Sequence, residues 1–194
     1  MLCLTEFLNV TKAYGDGKVI SDLSLTLGNG EHIVIMGESG AGKTTLLQIA
    51  ASLEKPDSGQ FKTDDVVAYM FQDARLLPTF NVRENVYATL KSRNKRDIAD
   101  KYIKLVELEE HIDKYPAQLS GGMRQRVAFA RFLAFSEENN ATLLLLDEPF
   151  SALDEEMRDR MLQILMEFSK DKSVIYVTHN VLEAEKFSNR IIKI

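Results

Sequence analysis

Between residues 37 and 44 the chain reads Gly37-Glu38-Ser39-Gly40-Ala41-Gly42-Lys43-Thr44, the spacing G-x-x-x-x-G-K-[ST] of a loop that wraps a phosphate. The residue types suit that task. Glycine lets the backbone curl close to an anion in conformations that a side chain obstructs. Successive N–H groups then turn inward as a nest, and a helix starting behind the loop adds the positive end of its dipole. Lys43 carries a mobile charge for the outer phosphates, the Thr44 hydroxyl is a ligand for Mg2+, and Thr45 leads on into the helix. The spacing departs from G-x-G-x-x-G, which sets a nicotinamide dinucleotide site aside.

A second feature ends an apolar run. Leu143-Leu144-Leu145-Leu146 is followed by Asp147-Glu148-Pro149, two adjacent carboxylates at the point where open α/β sheets keep their ligands. Asp147 is placed to hold Mg2+ and Glu148 to orient or deprotonate a water beside the γ-phosphate. A third feature, Leu119-Ser120-Gly121-Gly122-Met123-Arg124-Gln125, opens a helix-like run. Ser120 sits at an N-cap position with two glycines behind it, a second helix start suited to an anion.

The elements that must position these residues follow from periodicity and turn chemistry. Apolar stretches at 2–10 and 19–27 flank the turn-like Tyr14-Gly15-Asp16-Gly17-Lys18, and a strand is expected at 31–36, just before the glycine loop. A helix at 44–53 and a strand at 66–71 follow. From about 81 to 134 the apolar spacing is helical; Ile98, Tyr102, Leu105 and Val106 are expected on one face, and the basic run 91–96 on a solvated one. Strands at 143–146 and 173–178, helices at 155–168 and 181–187 and an apolar run at 191–194 complete the chain. This is an α/β core carrying a small all-α lobe, with 1–80 and 140–194 in the core and about 81–135 in the lobe, one domain in all.

Composition sets bounds on function. The 194 residues are 45% hydrophobic and 27% charged, ordinary for a globular domain. No apolar run nears the ~20 residues of a membrane span, and the first ten lack the pattern of a secretory leader. A net charge of −5 counts against a dedicated nucleic-acid binder. One cysteine, Cys3, excludes an intrachain disulfide and a cysteine zinc site and reads as a small apolar strand residue, consistent with a reducing cytoplasm.

With its motifs taken together and in order, the sequence resembles the ATP-binding cassette (ABC) ATPases along nearly all its length. The resemblance implies their fold: a P-loop NTPase core with an N-terminal antiparallel β subdomain and an inserted α-helical lobe. It implies ATP and Mg2+ as cofactors, with two ATPs sandwiched in a head-to-tail dimer, each held by 37–45 of one subunit and by Ser120, Gly121 and Gly122 of the other. On the same resemblance Tyr14 stacks on adenine, Gln72 reaches the metal and senses a membrane partner, Ser151-Ala152-Leu153-Asp154 runs along the dimer interface, and His179 contacts the γ-phosphate. Lys43, Gln72, Glu148 and His179 are then the catalytic set, and Thr44, Gln72 and Asp147 the metal set. His32 and His111 match nothing and are taken as structural.

The form Asp147-Glu148-Pro149-Phe150-Ser151-Ala152-Leu153-Asp154 looks like that of bacterial importers. Residues 72–78 and 81–86 are similar to importers of nitrate, sulfonate and taurine. That implies a second ATPase subunit, permease subunits docking near Gln72 and 76–86, a solute-binding protein, and a place on the cytoplasmic face of the cell membrane. Exporter-type cassettes, which more often carry Thr and Gly-Asn after the acidic pair, remain the alternative. Cassettes acting on nucleic acid or ribosomes carry coiled-coil arms, zinc modules or tandem cassettes, none of which is seen, and a simple nucleotide kinase needs no LSGGMRQ. The chain ends at Ile194, which on this resemblance implies no C-terminal regulatory domain.

Overall fold

The computed structural model describes residues 5–15, 17–188 and 190–194. Cys3, the start of the first expected strand and Asp16 of the expected turn lie outside them. The chain divides into two compact units, Met1–Tyr69 with Thr142–Glu148 and Ser169–Ile194, and Met70–Ala141 with Pro149–Phe168.

In the first unit, β1 (Thr5–Tyr14) pairs antiparallel with β2 (Gly17–Leu27) on one side and β4 (Ser58–Lys62) on the other. A second sheet runs in the order β5 (Val67–Met70), β6 (Leu143–Asp147), β7 (Ser173–Val177), β3 (His32–Met36), β8 (Ile191–Lys193). Its pairs β6/β7, β7/β3 and β3/β8 are parallel. All five residues of β6 and of β7 are buried, the continuous apolar pattern of a strand covered on both faces. Alternate positions Ile33 and Ile35, Leu143 and Leu145, Ile175 and Val177 join Leu46, Leu47 and Ile49 of α1 (Lys43–Ala50) in one core. Phe7, Val10 and Leu27 of the antiparallel sheet belong to the same cluster. Crossovers put β3, β6 and β7 side by side, so their C-terminal ends, 36–37, 147–148 and 177–179, share one edge of the sheet.

The second unit holds α2 (Val82–Tyr87), α3 (Lys95–Leu105), α4 (Gly121–Glu138) and α5 (Glu155–Phe168). It takes in more than the 81–135 expected of the lobe, beginning at Met70 and including α5. The buried face of α3 also differs from expectation. Ala99, Tyr102, Ile103 and Val106 are buried, while Leu105 is 40% exposed and Ile98 is intermediate. The chain turns at Glu107, with φ 57°, and Arg126 of α4 donates to the carbonyls of Val106 and Glu107. Those long-range bonds end the helix by satisfying carbonyls that its last turn leaves open. The basic run 91–96 is largely solvent-facing, as expected, with Lys91, Arg93 and Arg96 exposed. Among the described residues no helix is long and apolar enough to cross a membrane.

Candidate functional site

The glycine loop leaves β3 and runs into α1. Gly42 is the N-cap of α1 at φ 89°, a left-handed conformation costly for any residue with a side chain. A Cβ there would lie 2.6 Å from the Val19 carbonyl oxygen, and a Cβ on Gly37 would lie 2.3 Å from that of Ile194. Gly40 also has positive φ, 85°, but faces open space. The loop is thus packed against β2 and the chain end on one side and open on the other. Gly42 offers the first turn of α1 no side-chain cap, so the helix start is suited to an external anion. The Lys43 side chain, 8% exposed, donates to the carbonyls of Gly37 (2.9 Å) and Glu38 (2.7 Å) and so folds over the loop.

At the next residue, the Thr44 hydroxyl donates to Asp147 Oδ2 at 2.7 Å, and the Tyr69 hydroxyl approaches the same oxygen at 3.5 Å. Asp147 is 2% exposed. Burial pushes its carboxyl above the usual range, the Thr44 hydrogen bond opposes that, the Glu148 charge adds to it, and Tyr69 and Lys43 oppose it. A buried carboxylate beside a hydroxyl is an oxygen donor set, which fits a hard divalent cation such as Mg2+.

Glu148 follows with φ 45°, unusual for a residue with a side chain. Its backbone N–H is held by the Val177 carbonyl (2.9 Å), and its Oε2 lies 3.2 Å from Nδ1 of His179. His179, 66% exposed at its side chain, stands between β7 and α6 (Val181–Phe187). Behind it, Glu183 (5% exposed) accepts hydrogen bonds from Tyr176 and Thr178, both 2.7 Å, and Asn180 caps α6. The first unit therefore brings together Gly37, Glu38, Ser39, Gly40, Ala41, Gly42, Lys43, Thr44, Thr45, Asp147, Glu148 and His179. Tyr14 ends β1 in the same unit, 49% exposed, with Lys12 Nζ 5.3 Å from its ring centroid.

Gln72, Ser120, Gly121, Gly122 and 151–154 belong to the second unit. Gln72 is exposed. Ser120 caps α4, its hydroxyl accepting the Met123 N–H at 3.1 Å. Phe150, 1% exposed, sets its ring edge-on to Phe129, and Asp154 accepts the Met157 N–H in the first turn of α5. Two neighbours of the site escape sequence reasoning: Tyr69 and Glu183. The signal for Glu183 is a polar residue at a helix position that the apolar period assigns to the core. His32, by contrast, is structural as expected, stacked 5.0 Å from Phe187 with Nε2 3.0 Å from the Ser169 carbonyl.

Chemically, the first unit has a glycine loop with a lysine folded over it, a buried carboxylate hydrogen-bonded to an exposed hydroxyl, and a carboxylate–imidazole pair, groups of the kind that phosphoryl transfer to water requires.

Comparison with known proteins agrees. A sequence profile of the family described as "ABC transporter" matches residues 20–151. The spermidine/putrescine import ATP-binding protein PotA of Chromobacterium violaceum is 40% identical over 208 residues, covering 98% of this chain and 56% of its own length. The chain thus spans just over half of that relative. The aliphatic sulfonates import ATP-binding protein SsuB of Granulibacter bethesdensis is 40% identical over 185 residues, covering 94% of this chain and 76% of its own. Among solved structures, the dimeric post-hydrolysis state of the ATP-binding cassette MJ0796 bound to ADP and Pi has a TM-score of 0.89 at 32% identity. It covers 98% of this chain and 94% of that one.

Proposed function

The chain belongs to the ABC transporter family, and from that premise we propose that it binds Mg-ATP and hydrolyses it as the motor of a solute importer. The observation that carries the reading is the shared sheet edge at which the 37–45 loop meets Asp147, Glu148 and His179. When bound, Mg2+ would supply positive charge against the phosphate oxygens, and in this unit the Thr44 hydroxyl and Asp147 would hold it.

The chain's own residues do the rest. Backbone N–H groups of 37–45 and the start of α1 cradle the β- and γ-phosphates. The Lys43 ammonium, already poised over the loop, exchanges loop carbonyls for phosphate oxygens. Glu148 accepts a proton from a water as its oxygen attacks the γ-phosphorus. The bond from that phosphorus to the bridging oxygen breaks, and ADP and phosphate leave. His179, in contact with Glu148, fixes the carboxylate's direction and reaches toward the γ-phosphate. Tyr14, with its exposed ring, stacks on adenine.

Ser120, Gly121 and Gly122 act on the nucleotide of a second subunit, and the relatives' dimeric structure supports that arrangement. A permease docks at 76–86, and a solute-binding protein delivers the cargo to it. In that stretch Leu77 (43%) and Phe80 (37%) are exposed. The relatives' names join similar ATP-binding proteins to import of polyamines and of sulfonates, solutes of opposite charge, so the cargo is selected by the membrane partner rather than by this chain.

The testing experiment is Lys43→Ala. ATP affinity, read by equilibrium binding of a fluorescent ATP analogue, falls by about 100-fold, or about 2.8 kcal/mol, and phosphate release ceases. Affinity and turnover near wild type would contradict the site.

A further inference from the structure

Gln125 lies in the first turns of α4 and is 5% exposed, a buried polar side chain to which the chemistry above gives no task. Both ends of its amide face one loop. Nε2 donates to Ser151 Oγ over 3.2 Å, and Oε1 accepts the Ala152 N–H at 2.9 Å. The same loop presses on the start of the helix, since a Cβ on Gly122 would lie 3.1 Å from both the Ala152 carbonyl oxygen and Leu153 Cδ2. On either side the loop is anchored, by Phe150 at 1% and Leu153 at 7% exposure. Between the anchors Ser151 and Ala152 are exposed. The Ser151 hydroxyl and the Ala152 N–H are thereby tied to the helix that Ser120 caps and Gly121 and Gly122 begin.

We infer that Gln125 is a positioning residue that joins the helix start 120–122 and the crest 151–152 into one mechanical piece, so that both are presented together to a second copy of this chain. The inference rests on the paired-subunit reading of the proposed function. It also gives Gly122 a second reason to be glycine, besides any approach of a phosphate: a side chain there would push the crest out of register. Gln125 acts through the loop, because both ends of its amide are already engaged.

The test compares the full-length protein with Gln125→Met, Ser151→Ala and the double variant. It reads amide hydrogen exchange of 149–154 together with kcat and KM for ATP. Gln125→Met is expected to speed exchange at Ala152 on the order of tenfold and to lower kcat by a similar factor. KM should stay within about twofold, because the 37–45 loop is in the other unit. Ser151→Ala, an exposed position that folding tolerates, should shift both readouts the same way by less, and the double variant should be no worse than Gln125→Met. Unchanged exchange at 151–153, unchanged kcat, or a loss of protection spread evenly along α4 would each overturn the inference. Absence of turnover in the wild type would contradict the hydrolytic reading instead, and exchange would then decide the clamp alone.

Discussion

Glu148 holds its backbone at φ 45°, a region that costs a residue with a side chain of order 1–3 kcal/mol. The hydrogen bond from its N–H to Val177 keeps it there and turns the carboxylate toward His179. The residue before it has a different burden. Asp147 is buried with its carboxyl pushed above the usual range, chiefly by desolvation. The folded protein therefore holds that proton more tightly than the unfolded chain does. Its contribution to stability is full at low pH and is lost as pH rises through the raised carboxyl range. Asp147→Asn, which keeps an acceptor for Thr44, should melt higher than wild type without nucleotide at neutral pH, by roughly 2–4 °C. That difference should shrink on acidification through the same range. With Mg-ATP present the order should reverse, since only the carboxylate binds the cation well. Melting curves across pH, with and without Mg-ATP, check both signs; a variant that never melts higher than wild type without nucleotide contradicts the assignment of strain to this carboxylate.

At the scale of elements, short loops are held by single buried side chains. Asn85, 0% exposed in α2, accepts the Leu77 N–H and donates to the carbonyls of Leu77, Phe80 and Asn81. It thereby turns Leu77 and Phe80 outward. Removing it leaves those groups unpaired at a cost of about 2–3 kcal/mol. Asn85→Ala should lower the melting temperature by roughly 5–10 °C, whereas Leu77→Ala at an exposed position should leave it nearly unchanged; circular dichroism melts separate the two. Much of this level is legible in the sequence. Leu143 to Leu146 reads as a buried strand because no polar residue interrupts it, and 37–44 reads as a phosphate loop because few other tasks need that glycine spacing. The jobs of Gln125 and Tyr69 are not legible. Each depends on a partner brought close by folding, 26 or 27 residues away for Gln125 and 78 for Tyr69, and local periodicity carries no record of such pairings. The exposed side of α3 misleads for a related reason: Leu105 follows the helical period, yet the chain turns at Glu107 and leaves it at the surface.

At the scale of the whole molecule, the chemistry is divided between the two units, with the 37–45 loop and its acidic pair in one and the 120–122 helix start in the other. A chain built this way completes two sites when two copies meet head to tail. Glu148→Gln recovered from its native cells in Mg-ATP should bring down a multi-span membrane protein, and recovery of a ribosome or nucleic acid instead would remove the transport reading while leaving ATP binding intact. The central claim is narrower, that Glu148 directs the water while the rest of the site binds ATP. It is tested most directly by measuring ATP binding and phosphate release side by side in wild type and Glu148→Gln. The account predicts affinity within a few-fold of wild type and release slowed by about 100-fold or more. Phosphate release by Glu148→Gln at close to the wild-type rate would contradict it.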